Sequence, residues 1–452
     1  MVKFRKKLRQ RFTEIGIGSN VLKDIGLSFS ISLAARSVGL VKEAVIAGLF
    51  GVSAFVDLYV LLLIMATFFV GPVAGSICTP LTFKVRQLYQ SGAVETQKLI
   101  VTATISVSLV IMTVILAGLA TISGWFIEFQ NSGLFSIIKD FHLGKYLLAV
   151  GLFSAFTVIA DAVLSAQSRF ATQSGIRFCV PAVIIVSCLL APQHLLLHAL
   201  FIGTIAGYFL EAIIASICIR SSLTLPGFQR LSGIGDSFSP LLRQWPPMAT
   251  SSVVISGCVI VDQTMAVLAG EGSVAMISFG NRLTLGLLSL ASVLWIVLFP
   301  QFIDQVTNRQ FSQLRRSLVG INAVIIVIGL FGCAVLAFMS EWITTLMYQR
   351  GAFTQEDTDI VSQIQVFYFL HIPFYVAILI NARVVNAFER TRLYLLCNIA
   401  LLICNVVLNL AFIEIFGVLG IAVATLISYS IIALLWFIVA WGLVRNAIEQ
   451  ET

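Results

Sequence analysis

The stretch Ala34 to Phe50, AARSVGLVKEAVIAGLF, sets three full charges, Arg36, Lys42 and Glu43, in the first apolar segment of the chain. Such a group can bind a charged ligand or neutralise itself. Arg36 and Glu43 are seven residues apart, so on a helix they share a face, with Lys42 somewhat to its side. Arg and Lys in a wet, low-dielectric site suit an anion, and the guanidinium fork matches phosphate oxygens in bidentate fashion. Arg282 and Arg383 are two further cations embedded in apolar sequence, and Asp262 is the one acid near the middle of its own segment.

The elements that must position these residues are membrane helices. The chain has 452 residues, 59% of them hydrophobic and only 11% charged, with a mean hydropathy of +1.00; a soluble domain is about 25% charged. Apolar segments of roughly 20 residues, enough to cross about 30 Å of hydrocarbon, are expected at 25–50, 54–83, 98–122, 143–166, 176–192, 195–218, 243–269, 274–303, 317–339, 361–388, 393–416 and 418–444. This predicts an all-α polytopic membrane protein of about twelve transmembrane helices. A charge at mid-membrane costs about 2.5–3.5 kcal/mol on insertion scales, so the embedded cations should line something wet rather than face lipid. Arg36 lies about 16 Å along its segment at helical rise, which strains snorkelling to an interface.

The net charge of +7 reads as an orientation signal, not as an affinity for nucleic acid. Twenty-one of the 28 Lys and Arg residues fall in the amino-terminal tail and the loops on its side of the membrane. Lys139, Lys145 and Arg350 fall on the other side, and Arg36, Lys42, Arg282 and Arg383 lie at membrane depth. Both termini are therefore expected in the cytoplasm. The basic start KFRKKLRQRF is followed by a charged segment without a small-residue cleavage site, which predicts that the first segment stays in the membrane. The eight cysteines lie in or beside apolar segments with no CxxC pair and no His at metal spacing, and read as small buried hydrophobes.

The two halves resemble each other at an offset of about 220 residues. Pro80 and Pro300 each end the second segment of a half, LSAQSRF (Leu164 to Phe170) pairs with VNAFERT (Val385 to Thr391), and Lys42 and Glu43 fall opposite Asp262 and Gln263. Six segments per half give both halves the same orientation. The expected plan is two parallel six-helix bundles around a central cavity, as in transporters. The predicted layout is a basic cytoplasmic segment at 1–24, a first bundle at 25–220, a Ser, Gly and Pro-rich hinge at 221–242, a second bundle at 243–444 and a tail at 445–452.

Four stretches carry a more specific likeness. ARSVGLVKEAVIAGLFGVSAFVDLYV (Ala35 to Val60) resembles the first signature of the lipid II flippase family, MurJ/MviN, which typically reads SRxxGxxRDxxxAxxFGxxxxxDAFxxA. SVAMISFGNRLTLGLLSLASVLWIVLFPQF (Ser273 to Phe302), LMYQRGAFTQEDT (Leu346 to Thr358) and NARVVNAFERTRLYLLCNIALLICNVVLNL (Asn381 to Leu410) extend it across most of the chain. The resemblance implies a member of the multidrug, oligosaccharidyl-lipid and polysaccharide exporter group. It implies a flippase and not an enzyme, moving a polyprenyl-diphosphate-linked glycan from the inner to the outer leaflet of the bacterial cytoplasmic membrane by alternating access. No cofactor is expected beyond a sodium ion or a proton gradient as driving force, no nucleic acid is a partner, and a monomer in the lipid bilayer is the expected form.

Carried over by resemblance, Arg36, Lys42 and Arg282 fall on the family's substrate-binding cations, with Lys42 replacing the usual Arg, and Glu43 and Arg383 join them as candidates. Asp57 falls on the family's Asp at the outer end of the second helix. Where present, the family's sodium site uses an acid on the seventh helix, an Asn and an acid one turn apart on the eleventh, and a Thr on the twelfth; Asp262, Asn405, Asn409 and Thr425 resemble it. Asn409 stands for a carboxylate, which leaves one negative ligand. From its repeat position opposite Lys42, Asp262 has two readings: a switch that pairs with a cation in the empty state and is freed by the entering diphosphate to take a proton or sodium ion, or a static acid that stabilises its bundle.

Two departures bear on the cargo. LIMATFFVGPVAGSI (Leu63 to Ile77) carries no charge where the family usually has an Arg pair and a Glu, and the resemblance ends after twelve helices where many lipid II flippases have two more. The alternative is an exopolysaccharide or O-antigen repeat unit in place of lipid II. A multidrug antiporter shares the expected fold, but organic cations do not favour four membrane-embedded basic residues. A major-facilitator carrier should show GxxxDRxGRR where FKVRQLYQSG stands, and a glycan ligase or polymerase needs a large outer loop.

Overall fold

A computed structural model describes residues 19–129, 143–223 and 235–450, and every regular element among them is helical. The expected basic segment at 1–24 up to residue 18, half of the hinge at 221–242 and the end of the tail lie outside the described residues.

Fifteen α-helices follow in chain order among the described residues: α1 (Ser19–Phe50), α2 (Ala54–Phe68), α3 (Ser76–Gln90), α4 (Val94–Phe129), α5 (Leu143–Ala166), α6 (Phe170–Ile176), α7 (Cys179–Leu190), α8 (Leu196–Ile219), α9 (Gly235–Ala269), α10 (Ser273–Thr307), α11 (Phe311–Phe338), α12 (Ser340–Tyr348), α13 (Gln355–Ala387), α14 (Thr391–Phe416) and α15 (Val418–Glu449). Among the described residues, ten helical stretches are long and apolar enough to cross a membrane. The other two expected segments are the charge-bearing α1 and α10, whose apolar stretch Ser273–Leu288 is shorter. The protein is a polytopic all-α membrane protein.

Two of the membrane segments are interrupted, one at a proline and one just before a proline. A π-helical turn, Gly71–Gly75, joins α2 to α3, where Pro72 removes one backbone donor. The loosened turn offers the Val73 carbonyl to the Trp245 indole, which donates to it at 3.1 Å. The fifth segment, expected at 176–192, starts earlier and is two helices, α6 and α7, separated by Arg177 and Phe178. Pro181 sits in the first turn of α7, where its missing N–H is least costly.

The chain divides into two compact units, Met1–Lys42 with Leu62–Ser252, and Glu43–Leu61 with Val253–Thr452. The boundary thus falls inside α1, α2 and α9. The first unit packs around Leu81, Ile100, Leu116, Ile159 and Val163. The second packs around Leu314, Val384 and Trp436, with a further cluster at Val274, Ile364, Tyr368 and Ile421.

Within the second unit, the end of α1 is fixed to the turn after α12 by backbone alone. The Ala352 N–H donates to the Gly48 carbonyl at 2.9 Å, and Gly51 and Gly351 both adopt φ of +59°. A Cβ on Gly351 would run into the Gly48 carbonyl, and one on Gly51 into that of Ala352. Glycine is required at both by conformation and by space. Behind this crossing Phe279, Tyr348 and Phe353 pack ring against ring, with centroids 5.2 to 5.8 Å apart. This explains the LMYQRGAF stretch as a structural clasp.

Gly351→Ala is therefore expected to lower the thermal stability of the detergent-purified protein, at a cost of at least about 1 kcal/mol from the left-handed backbone alone. Gly320→Ala, in the interior of α11 with open space at its Cβ position, should be neutral or stabilising. Equal melting temperatures for the two variants would contradict this account.

Candidate functional site

Glu43 and Arg282 form an ion pair in the second unit: an Arg282 Nη donates to a Glu43 carboxylate oxygen. α1 carries the acid and α10 the base. The partners are unequally accessible, the arginine side chain being 33% exposed and the glutamate 6%. A buried carboxylate and a reachable guanidinium leave most of the five Arg donors available to another acceptor.

Asp57, at the start of α2, has both carboxylate oxygens engaged. The Gly272 N–H donates to Oδ2 at 2.6 Å and the Ala275 N–H to Oδ1 at 2.7 Å. These are first-turn donors of α10 that have no intrahelical acceptor, and a carboxylate beside the positive end of the helix dipole is stabilised there. Asp57 thus caps the helix that carries Arg282. Gly272, the N-cap residue at φ 82°, has Val52 against the position of a Cβ.

The four residues expected to take an ion do come together. Asn405 Nδ2 donates to Asp262 Oδ1 at 3.0 Å, Asn409 Nδ2 to the same atom at 2.9 Å, and Thr425 Oγ1 lies 3.3 Å from Oδ2. The two amides are one turn apart on α14, hence on one face. Thr425 has one proton, and the Ile421 carbonyl at 2.9 Å competes for it. Oδ2 is therefore the less satisfied oxygen. Both Asn side chains are fully buried, and their Oδ1 atoms have no partner. The expectation that Asp262 pairs with a cation in the empty state gives way to this neutral-donor shell, because the i, i+4 amides of α14 reach the carboxylate first.

On α13, His371 Nδ1 lies 2.6 Å from the Tyr368 carbonyl and its ring packs against Tyr375 and Tyr429. Arg383 is half-buried one turn before the end of α13.

In the first unit Lys42 is buried and Arg36 exposed. Sequence reasoning assigned Arg177 to a loop and passed over Asp161 and Glu211. Arg177 Nη2 donates to Asp161 Oδ2 at 2.8 Å, again with an accessible arginine side chain (55%) and a covered aspartate (12%). Glu211 on α8 is buried, and the charges acting on it are Asp161 and Arg177. Charged residues inside the apolar segments at 143–166 and 195–218 were the available signal.

The profile of the lipid II flippase MurJ family matches residues 42–445. The probable lipid II flippase MurJ of Vibrio cholerae serotype O1 is 23% identical over 436 residues, covering 92% of this chain and 82% of the relative. The lipid II flippase MurJ of Thermosipho africanus is 33% identical over a shorter stretch, 23% of this chain and 22% of the relative. Among solved structures, lipid II flippase MurJ in an inward closed conformation superposes with a TM-score of 0.67 at 20% identity, over 91% of this chain and 86% of that one. An inward-facing multidrug resistance MATE transporter gives 0.69 at 13% identity, over 94% and 99%. The fold is thus common to both kinds of exporter, whereas the sequence profile separates them. With the profile spanning nearly the whole chain, this protein is a multi-pass membrane protein of the lipid II flippase MurJ family.

Proposed function

We propose that the protein moves a polyprenyl-diphosphate-linked glycan, lipid II or a related lipid-linked oligosaccharide, from the inner to the outer leaflet of the bacterial cytoplasmic membrane, acting as a monomer with both termini in the cytoplasm. One observation carries the anionic cargo. In both membrane-embedded ion pairs the carboxylate is covered and the arginine is reachable, and Arg36 is exposed as well. The accessible charge is positive, which favours phosphate over the organic cations of a multidrug antiporter. In this reading Arg282 is a phosphate ligand of the second unit, with Asp57 capping its helix α10 and Glu43 orienting its guanidinium, and Arg36 and Lys42 are phosphate ligands of the first. Arg383 is the fourth cation assigned to the substrate.

The uncharged run Leu63 to Ile77 favours a second cargo, an exopolysaccharide or O-antigen repeat unit. Vesicles reconstituted with the purified protein and given lipid II or a lipid-linked O-antigen unit separate the two. Failure to move either refutes the flippase reading.

A sodium ion fits the Asp262 shell chemically. One carboxylate, two buried amide oxygens without partners and one hydroxyl are all hard oxygen donors. Asp262, Asn405, Asn409 and Thr425 would hold the ion, which would contribute the energy of its gradient. The same carboxylate serves a proton. Asp262→Asn should abolish the dependence of transport on sodium and pH gradients while leaving substrate binding within about twofold of wild type, a tolerance close to the usual few tenths of a kcal/mol for distant sites. An unchanged response to both gradients would remove Asp262 from coupling.

Arg282→Ala strands the buried Glu43, an uncompensated charge costing about 3–5 kcal/mol, so loss of transport in that variant mixes stability with binding. Arg282→Lys keeps the ion pair but lacks the fork. It should fold normally and transport at least about tenfold more slowly, the loss of one charge-assisted hydrogen bond of about 1.5 kcal/mol. Normal transport by Arg282→Lys would exclude bidentate phosphate binding there.

For orientation, a cysteine introduced at position 230 in a background lacking the eight native cysteines should resist an impermeant thiol reagent applied to intact cells. Labelling from outside would invert the topology.

A further inference from the structure

The arginine of the interrupted fifth membrane segment has no role in the reading above, and its surroundings assign one. Ser32 on α1 and Ser174 on α6 are hydrogen-bonded through their hydroxyls at 2.8 Å. Arg36 follows Ser32 by one helical turn and so lies on the same face. Arg177 follows Ser174 by three residues and closes α6. The serine contact thereby places the two arginines in one neighbourhood, near enough for the charge of Arg177 to act on Arg36. Arg36 makes no hydrogen bond or ion pair of its own among the described residues.

Two neighbouring guanidinium groups repel, and an anion shared between them relieves that repulsion. Asp161 offsets part of that repulsion by binding one edge of Arg177, which leaves the remaining donors of the fork free. α7 begins two residues later, and its amino end adds partial positive charge to the same place. Asp161 Oδ1 is buried without a partner, and Glu211 is a second buried acid nearby. These carboxylates bias the cradle against holding an anion permanently, as release requires.

We propose that Arg36 and Arg177 form a two-arginine cradle for a phosphate group of the lipid-linked substrate, and that Asp161 competes with that phosphate for Arg177. This rests on the flippase reading above. It adds Arg177 as a substrate-binding residue and Asp161 as a positioning residue, both within the first unit. Binding exchanges one charge-assisted partner of Arg177 for another, so arrival of the phosphate frees the Asp161 carboxylate.

The test uses the full-length protein in phosphatidylcholine nanodiscs and measures binding of inorganic pyrophosphate and of a polyprenyl diphosphate by microscale thermophoresis. Arg177→Ala should weaken both about tenfold or more, and Arg177→Lys, which keeps the pair with Asp161 and guards against misfolding, should weaken them less. Asp161→Asn retains a hydrogen-bond acceptor for Arg177 but loses the competing charge, so it should bind both ligands several-fold more tightly, an effect no purely structural role produces. Wild-type affinity in both Arg177 variants, or weaker binding by an Asp161→Asn protein that melts normally, overturns the cradle. So does a result in which phosphatidylglycerol in the nanodisc displaces pyrophosphate while the polyprenyl diphosphate does not, since the cradle would then serve bulk lipid. If wild-type protein fails to flip any lipid-linked diphosphate in vesicles, the flippase reading itself falls; if it flips and the Arg177 variants flip and bind normally, only the cradle does.

Discussion

A carboxylate held at membrane depth must find donors inside the protein, because hydrocarbon supplies none. Four acids among the described residues meet that demand, and each solution fixes two or three separate helices. Glu43 joins α1 to α10 through Arg282, and Asp57 joins α2 to the start of α10. Asp161 joins α5 to the break between α6 and α7, and Asp262 gathers α9, α14 and α15. Apolar packing gives the helices their affinity, but it says little about register. The acids specify which turn of one helix faces which turn of another.

The four partnerships differ in chemistry, and the difference separates their roles. Backbone N–H groups at Asp57 cannot leave, so that contact is an anchor. Guanidinium partners at Glu43 and Asp161 can be shared with a competing anion. Amide and hydroxyl partners at Asp262 are neutral and can be turned, so a cation can take their place. One requirement, satisfaction of a buried acid, is therefore met by three kinds of donor: backbone N–H groups, guanidinium groups, and side-chain amides with a hydroxyl. The same fold in a MATE exporter can carry another cargo, because fold alone does not choose the ligand.

Much of this was legible from residue order. Long apolar runs located the membrane helices, and the Asp262, Asn405, Asn409 and Thr425 set assembled as its family spacing implied. The partners of the acids were not legible. Nothing local to Asp57 says that its acceptors will be filled by the backbone of Gly272 and Ala275, since that contact depends on how a helix made much later begins. Arg177 was misplaced for a different reason. The helical stretch starts at Phe170 and breaks before Cys179, so a residue at the very edge of the expected 176–192 segment, counted with the loops, belongs to an interruption inside a longer segment. The Asp262 shell likewise turned on two amides whose reach exceeded that of any cation, a matter of side-chain geometry that periodicity does not encode.

The place of the unit boundary has a consequence for biogenesis. Residues 43–61 belong with the carboxy-terminal unit, and their partners lie far along the chain: Asp57 waits for residues 215 and 218 positions later, and Glu43 for one 239 positions later. At a synthesis rate of about 5–20 residues per second, the first helical hairpin stands in the membrane for roughly ten seconds or more with two acids lacking these native donors. During that interval it must keep them near the headgroups, hold them protonated, or shelter against the insertion machinery. The hairpin is therefore the part of the nascent protein most dependent on assistance, although in the finished molecule the turn between its two helices is among the most firmly tied.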